Sequence, residues 1–170
     1  MNIERRVAPV QLEIREDGRT LSGLAMPYGK PARIGKYMEK FLPGAFADAE
    51  PENVPLLAQH GREDLPIGRA LSFTESPEGL RTELRISQTH AGDDVLELVK
   101  DGAATGLSVG FLPLQDRWNT TKTAVERVKA RLVELSITAF PAYEDARILA
   151  VRAEVEPIRT PRLSVARWES

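Results

Sequence analysis

In the run Leu80-Arg81-Thr82-Glu83-Leu84-Arg85-Ile86 the apolar side chains, Leu80, Leu84 and Ile86, recur at even spacing. Successive residues of a strand point to opposite faces, so this period fits a strand with one face buried and one in water. The same signal returns along most of the chain. Val10 to Ile14 alternates, Glu16-Asp17-Gly18-Arg19 makes a turn, and Thr20 to Ala25 resumes, which predicts an opening hairpin. Val54 to His60 reads as a compact apolar strand ending at a histidine, and Ile67 to Thr74 extends again. Thr105 to Leu114 and Val125 to Phe140 are longer extended runs, the second stopped by Pro141-Ala142. Pro43-Gly44-Ala45-Phe46 marks a turn into a short helix. One internal stretch has clear helical spacing, from about Ala91 to Lys100. There Val95, Leu98 and Val99 fall at i, i+3 and i+4, Asp93 and Asp94 occupy the first turn, and Asp101-Gly102 supplies a stop. Short strands with few helices predict an α+β, mainly β fold, a partly closed antiparallel β-barrel surrounded by a few helices.

At 170 residues the chain is long enough for one domain with a real core. That domain is expected over 1–151, with a short helix near Glu144 to Leu149. The stretch 152–170 carries Pro157, Pro161 and scattered arginines without periodicity, and reads as a loosely held tail. A formal net charge of −2 argues against a dedicated nucleic-acid binder, which would normally present a strongly basic face. Cysteine is absent, so disulfides, thiolate metal sites and a cysteine nucleophile are excluded. With His60 and His90 as the only histidines, a metal centre would have to lean on carboxylates. No cofactor motif stands out. No apolar run approaches the ~18 residues of a spanning helix, and the polar start lacks a signal-peptide core. The cytoplasm is the simplest compartment.

Three residues could carry chemistry. Ser108 lies in Gly106-Leu107-Ser108-Val109-Gly110-Phe111, where alternation puts Leu107, Val109 and Phe111 on one face and the serine between two glycines on the other. Glycines weaken a strand, so this pair implies that another backbone approaches closely. A nucleophile receiving a peptide would need that space, and so would a serine packed under a helix. His60 ends an apolar strand beside Gly61, where an imidazole could be held by the sheet yet reach a cleft. With an ordinary pKa of about 6.5 an imidazole takes a proton at neutral pH. A surface loop histidine reads the same way. Glu134 sits mid-strand, with Val133, Leu135, Ile137 and Ala139 on one face and Leu132, Ser136, Thr138 and Phe140 beside it on the other. A carboxylate so placed needs a partner. Orienting an imidazole is one such role, and a cross-strand ion pair is the other.

In the order His60, Ser108, Glu134, and in its motifs, the chain resembles the prohead (capsid maturation) serine proteases of tailed bacteriophages, the Hong Kong 97-like peptidases related to herpesvirus assemblin. The likeness is carried by Gly23-Leu24-Ala25-Met26-Pro27-Tyr28-Gly29, Glu39-Lys40-Phe41-Leu42-Pro43-Gly44-Ala45-Phe46, Val54-Pro55-Leu56-Leu57-Ala58-Gln59-His60, Gly106 to Phe111, and Glu134 to Ala142. Gly68-Arg69-Ala70 and the helix before Asp101-Gly102 also fit, so the likeness covers about Leu12 to Val151.

The resemblance implies an assemblin-like barrel with Ser108 as nucleophile, His60 as general base and later acid, and Glu134 as third member. His90 competes for the third role, because assemblin uses a second histidine there, but it stands in a polar turn and matches no family motif. By analogy the oxyanion donors lie around Ala142 and Tyr143. The implied partners are the major capsid protein with its scaffolding segment, the protease itself as substrate, and a second copy in a homodimer. The implied place is the host cytoplasm, inside the assembling procapsid. Two rivals remain at this point: a non-catalytic internal scaffold or docking protein of capsid assembly, and a carboxylate-based metal hydrolase on His60, Glu63 and Asp64.

Overall fold

The computed structural model describes residues 3–8, 12–61 and 64–139. Ten strands form one sheet: β1 Glu4–Ala8, β2 Glu13–Ile14, β3 Thr20–Pro27, β4 Ala32–Ile34, β5 Tyr37–Phe41, β6 Pro55–Ala58, β7 Gly68–Ser76, β8 Gly79–Ile86, β9 Gly106–Trp118 and β10 Ala124–Thr138. A single α-helix among the described residues, α1 His90–Lys100, follows β8. The strand order is β1-β9-β10-β6-β7-β8-β3-β2, with β4 on β5 and β5 on β10. The sheet curls so that β3 comes back against β1 and β9. The result is mainly β and barrel-like, as the alternation predicts.

The sheet is not purely antiparallel. β10 runs antiparallel to β9 but parallel to both β5 and β6, which lie in succession along its other flank. The connection between them explains this. Turns over Pro43 to Asp48 and a short 3-10 turn at Pro51–Asn53 carry the chain from the end of β5 to the start of β6 without reversing it. The short helix predicted after Pro43-Gly44 is absent: three turns succeed one another there, and Gly44 takes a left-handed φ of 81° that no helix accommodates.

The helix starts at His90, capped by Thr89, whose side chain accepts from the Gly92 N–H at 3.1 Å. Its buried residues are Gly92 and Leu96, with Val95 and Val99 packed beside them, while Leu98 is 45% exposed. The apolar stripe is therefore rotated from the predicted Val95, Leu98, Val99 face. The cause is the close seating of Gly92, where a side chain would meet the Ser87 carbonyl.

Leu107, Val109 and Phe111 of β9 enter the core with Leu135 and Ile137 of β10, Leu56, Leu84 and Ile86. Phe111 stands edge-on to Phe41 with centroids 5.1 Å apart, and Phe41 stacks on Phe46 at 5.4 Å. Such aromatic pairs typically add about 0.5–1.5 kcal/mol beyond the area they bury. One expectation fails here. A β-bulge between Leu132 and Glu134 breaks the alternation, so Leu132 faces Phe111 in the core instead of sharing the Glu134 face. The predicted helix near Glu144 and the tail 152–170 lie outside the described residues.

Candidate active site

Register, not sequence proximity, assembles the site. Across the β9–β10 ladder Ser108 pairs with Ser136, Gly110 with Glu134 and Gly106 with Thr138. Directly paired residues share a face, so the serine and the carboxylate stand side by side on the face turned away from the core. Along the other flank of β10, Ser136 pairs with Leu57 and Ile137 with Ala58 of β6. That pairing delivers the end of β6, and with it His60, to the same face.

His60 is not the last residue of a strand. β6 ends at Ala58, and the Gly61 N–H donates to the Ala58 carbonyl at 2.8 Å, closing a tight turn over Gln59 and His60. Both central residues have left-handed φ values, 50° and 60°. That conformation is unfavourable for residues with a Cβ and is found disproportionately where a side chain must be aimed. Here it aims the imidazole. His60 Nδ1 lies 2.8 Å from Glu134 Oε1, and the His60 side chain is 19% exposed while that of Glu134 is 2% exposed. An ionised carboxylate can only accept, so Nδ1 carries the proton and donates it. The Nε2 lone pair is then left for a substrate-side proton, the tautomer a general base needs.

Glu134 has two further partners. Arg5 Nε donates to the same Oε1 at 3.1 Å, and Ser136 Oγ donates to Oε2 at 3.1 Å. Burial alone pushes a carboxyl up, but the His60, Arg5 and Ser136 contacts outweigh it and hold Glu134 below its ordinary value of 4.5. Glu134 thus hydrogen-bonds a histidine and forms an ion pair with an arginine of β1 at the same oxygen.

Gly110 makes this arrangement sterically feasible. A Cβ there would lie 2.4 Å from Glu134 Cγ and 2.5 Å from Oε1. The missing side chain leaves the carboxylate room to lie across β9 toward Arg5, which pairs with Gly110 from the β1 side. Gly110→Ala is expected to displace the carboxylate, destabilising the fold by about 1–3 kcal/mol as overpacking does. Adding Glu134→Ala to Gly110→Ala should restore much of that stability without restoring activity. Chemical denaturation of the two variants checks this.

Ser108 is fully buried, and its Oγ donates to the Arg6 carbonyl at 3.0 Å rather than to His60. The Thr138 hydroxyl, on the same face, is buried with no hydrogen-bond partner among the described residues. His90 sits exposed at the first turn of α1 and hydrogen-bonds to neither Ser108 nor Glu134. Asp64 is exposed, and Glu63, Ala142 and Tyr143 lie outside the described residues.

Behind this face, on the core side of β9, a second group of charges went unread in the sequence. Arg6 pairs bidentately with Glu39, with one bond at 2.9 Å, and also donates to Glu4 at 2.5 Å. Arg127 donates to Glu39 at 2.6 Å, Glu4 at 2.7 Å and Asp116 at 2.6 Å. Both guanidinium groups lie over the Phe111 ring, 5.3 and 5.7 Å from its centroid. Burial works against the Arg6 charge, but the Glu39 and Glu4 carboxylates more than offset it, and the group holds its proton more tightly than usual.

A histidine held in a tight turn and hydrogen-bonded to a buried carboxylate, with a serine on the strand next to that carboxylate, has the composition of an acyl-transfer hydrolase site. The family model described as caudovirus prohead serine protease matches residues 8–161. The prohead protease of enterobacteria phage HK97 is 32% identical over 133 residues, which are 75% of this chain and 58% of that protein. The chain therefore belongs to the caudovirus prohead serine protease family. It spans 58% of the length of the curated relative it matches. No solved structure matches it.

Proposed function

We propose that this chain is a serine endopeptidase that removes the scaffolding segment of the major capsid protein during prohead maturation, and that it cleaves itself. The observation that carries this reading is the 2.8 Å bond between His60 Nδ1 and Glu134 Oε1, made beside the Ser108 strand in a member of a prohead protease family. In the mechanism, His60 Nε2 takes the Ser108 proton as Oγ attacks the scissile carbonyl. The tetrahedral intermediate collapses to an acyl-enzyme as His60 protonates the leaving amine, and water then releases the acid by the reverse transfers. Glu134 fixes the tautomer and compensates the imidazolium charge. For this the Ser108 hydroxyl must turn from the Arg6 carbonyl to the imidazole. The work is done in the host cytoplasm, inside the closing shell, where loss of scaffold makes room for DNA.

The reading is tested by co-expressing the full chain with its capsid protein and following the scaffolding segment by gel and mass spectrometry. Removal of the segment, blocked by a serine-directed phosphonate, is the expected result. Intact scaffold in shells that still assemble around the chain would point instead to a docking protein without catalysis.

A further inference from the structure

The serine is covered by the chain's own first strand. β1 lies at the end of the strand order and pairs along β9 alone, antiparallel, with Arg5 opposite Gly110, Arg6 opposite Val109 and Val7 opposite Ser108. Its backbone occupies the hydrogen-bonding edge of the strand that carries Ser108. Extended peptides dock on sheet edges in this way, with main-chain bonds giving affinity and alternate side chains filling sites on either face. The contact with the serine is specific. Ser108 Oγ bonds the Arg6 carbonyl oxygen at 3.0 Å, and the serine has no exposed surface.

The two arginines engage the two faces. Arg5 reaches the Glu134 oxygen that also holds His60, and Arg6 is clasped on the core side by Glu39 and Glu4. The family model matches from residue 8 onward, so β1 up to Val7 precedes the matched segment.

We propose that the β9 edge is the docking surface for the extended peptide segment that this enzyme cuts, and that residues 4–8 occupy it as an internal pseudosubstrate which the substrate must displace. The inference rests on the reading of Ser108 as nucleophile. It adds the direction of the bound peptide, antiparallel to β9, and a reason for a nucleophile that is out of reach in the free chain. The Arg6 carbonyl accepts the serine proton while β1 is in place, so Oγ cannot pass it to His60. The charged clasp on Arg6 holds the strand without covalent attachment. It can therefore be released by competition from another strand.

The experiment uses the full chain and a fluorescent fluorophosphonate, with the adduct located by peptide mass spectrometry. Arg6→Glu places like charge against Glu39 and Glu4, and Ala8→Pro removes a main-chain N–H that, like the Arg6 carbonyl, points from β1 toward β9. Either should raise the labelling rate of Ser108 about tenfold or more, the change expected when the competent fraction rises from about a tenth toward one. A synthetic peptide Ile-Glu-Arg-Arg-Val-Ala-Pro, copying residues 3–9, should slow the variants back toward the wild-type rate. Equal labelling of Ser108 in wild type and in both variants, each folded by circular dichroism, would overturn the pseudosubstrate while leaving the nucleophile standing. No effect of the peptide on faster-labelling variants would overturn it as well. An adduct on some other residue, or none in any form, would overturn the nucleophile assignment and the pseudosubstrate with it.

Discussion

Ser108→Ala is expected to lower peptide cleavage by roughly 10⁶-fold, the scale on which a serine hydrolase loses turnover when its nucleophile is removed. The fold should survive. The hydroxyl is buried and makes one bond, to the Arg6 carbonyl, so its loss should destabilise by about 1 kcal/mol. The methyl group fits wherever the serine did. Capsids made with this variant should keep their scaffolding segment while the variant itself remains soluble and cooperatively folded. Undiminished processing would show that Ser108 only bonds the backbone of β1.

Glu134→Gln should reduce cleavage by roughly 10⁴-fold, because an amide facing Nδ1 no longer fixes the imidazole in the tautomer that frees Nε2. It also produces a pH signature that a packing defect would not. Glu134 titrates below its ordinary 4.5 in the folded chain, through its bonds to His60, Arg5 and Ser136. A carboxyl with a depressed folded pKa contributes stability that is complete above the unfolded value and disappears as pH falls through the folded one. The stability gap between wild type and Glu134→Gln should therefore be widest above pH 4.5 and narrow progressively below it. Urea unfolding of both proteins across that range measures the gap. A gap that stays constant on acidification would mean that the carboxylate charge does not support the fold.

Much of this architecture is legible in the chain because period-two alternation is a local signal. β8 and the core half of β9 follow it closely, and the helix read from about Ala91 to Lys100 with its Asp101-Gly102 stop is α1, His90–Lys100. The Ser108 face follows from the same rule, and so does the Glu134, Ser136, Thr138 face, but not the place of Leu132 beyond the bulge. What escapes is whatever depends on a distant partner. Glu4, Arg5 and Arg6 read only as a polar start to the chain, yet they form a strand in which Arg6 is buried and the other two half-buried, paired with Glu39, Arg127 and Glu134 from far along the sequence. The bulge beside Glu134 has no signature in Val133, an ordinary strand residue. Nor does the sequence announce the left-handed turn at Gln59 and His60, since neither is the glycine that such a φ favours.

Gly110 shows the limit most clearly. The glycine pair around Ser108 implies a close approach by another group, with a peptide substrate and a packed helix as the two candidates. At Gly110 the approaching group is the side chain of Glu134, with Arg5 meeting it from β1. The inference of an empty space is sound. Its occupant is the carboxylate of the directly paired strand, which only the ladder register could place.

The central claim is that Ser108, activated through His60 and Glu134, is the nucleophile of this protease. Mass spectrometry of the full-length chain after reaction with a serine-directed phosphonate tests it most directly. The account predicts one covalent adduct, on the peptide containing Ser108, lost in Ser108→Ala and sharply slowed in His60→Ala and Glu134→Gln. An adduct on another residue, or labelling of Ser108 that is indifferent to His60 and Glu134, would contradict it.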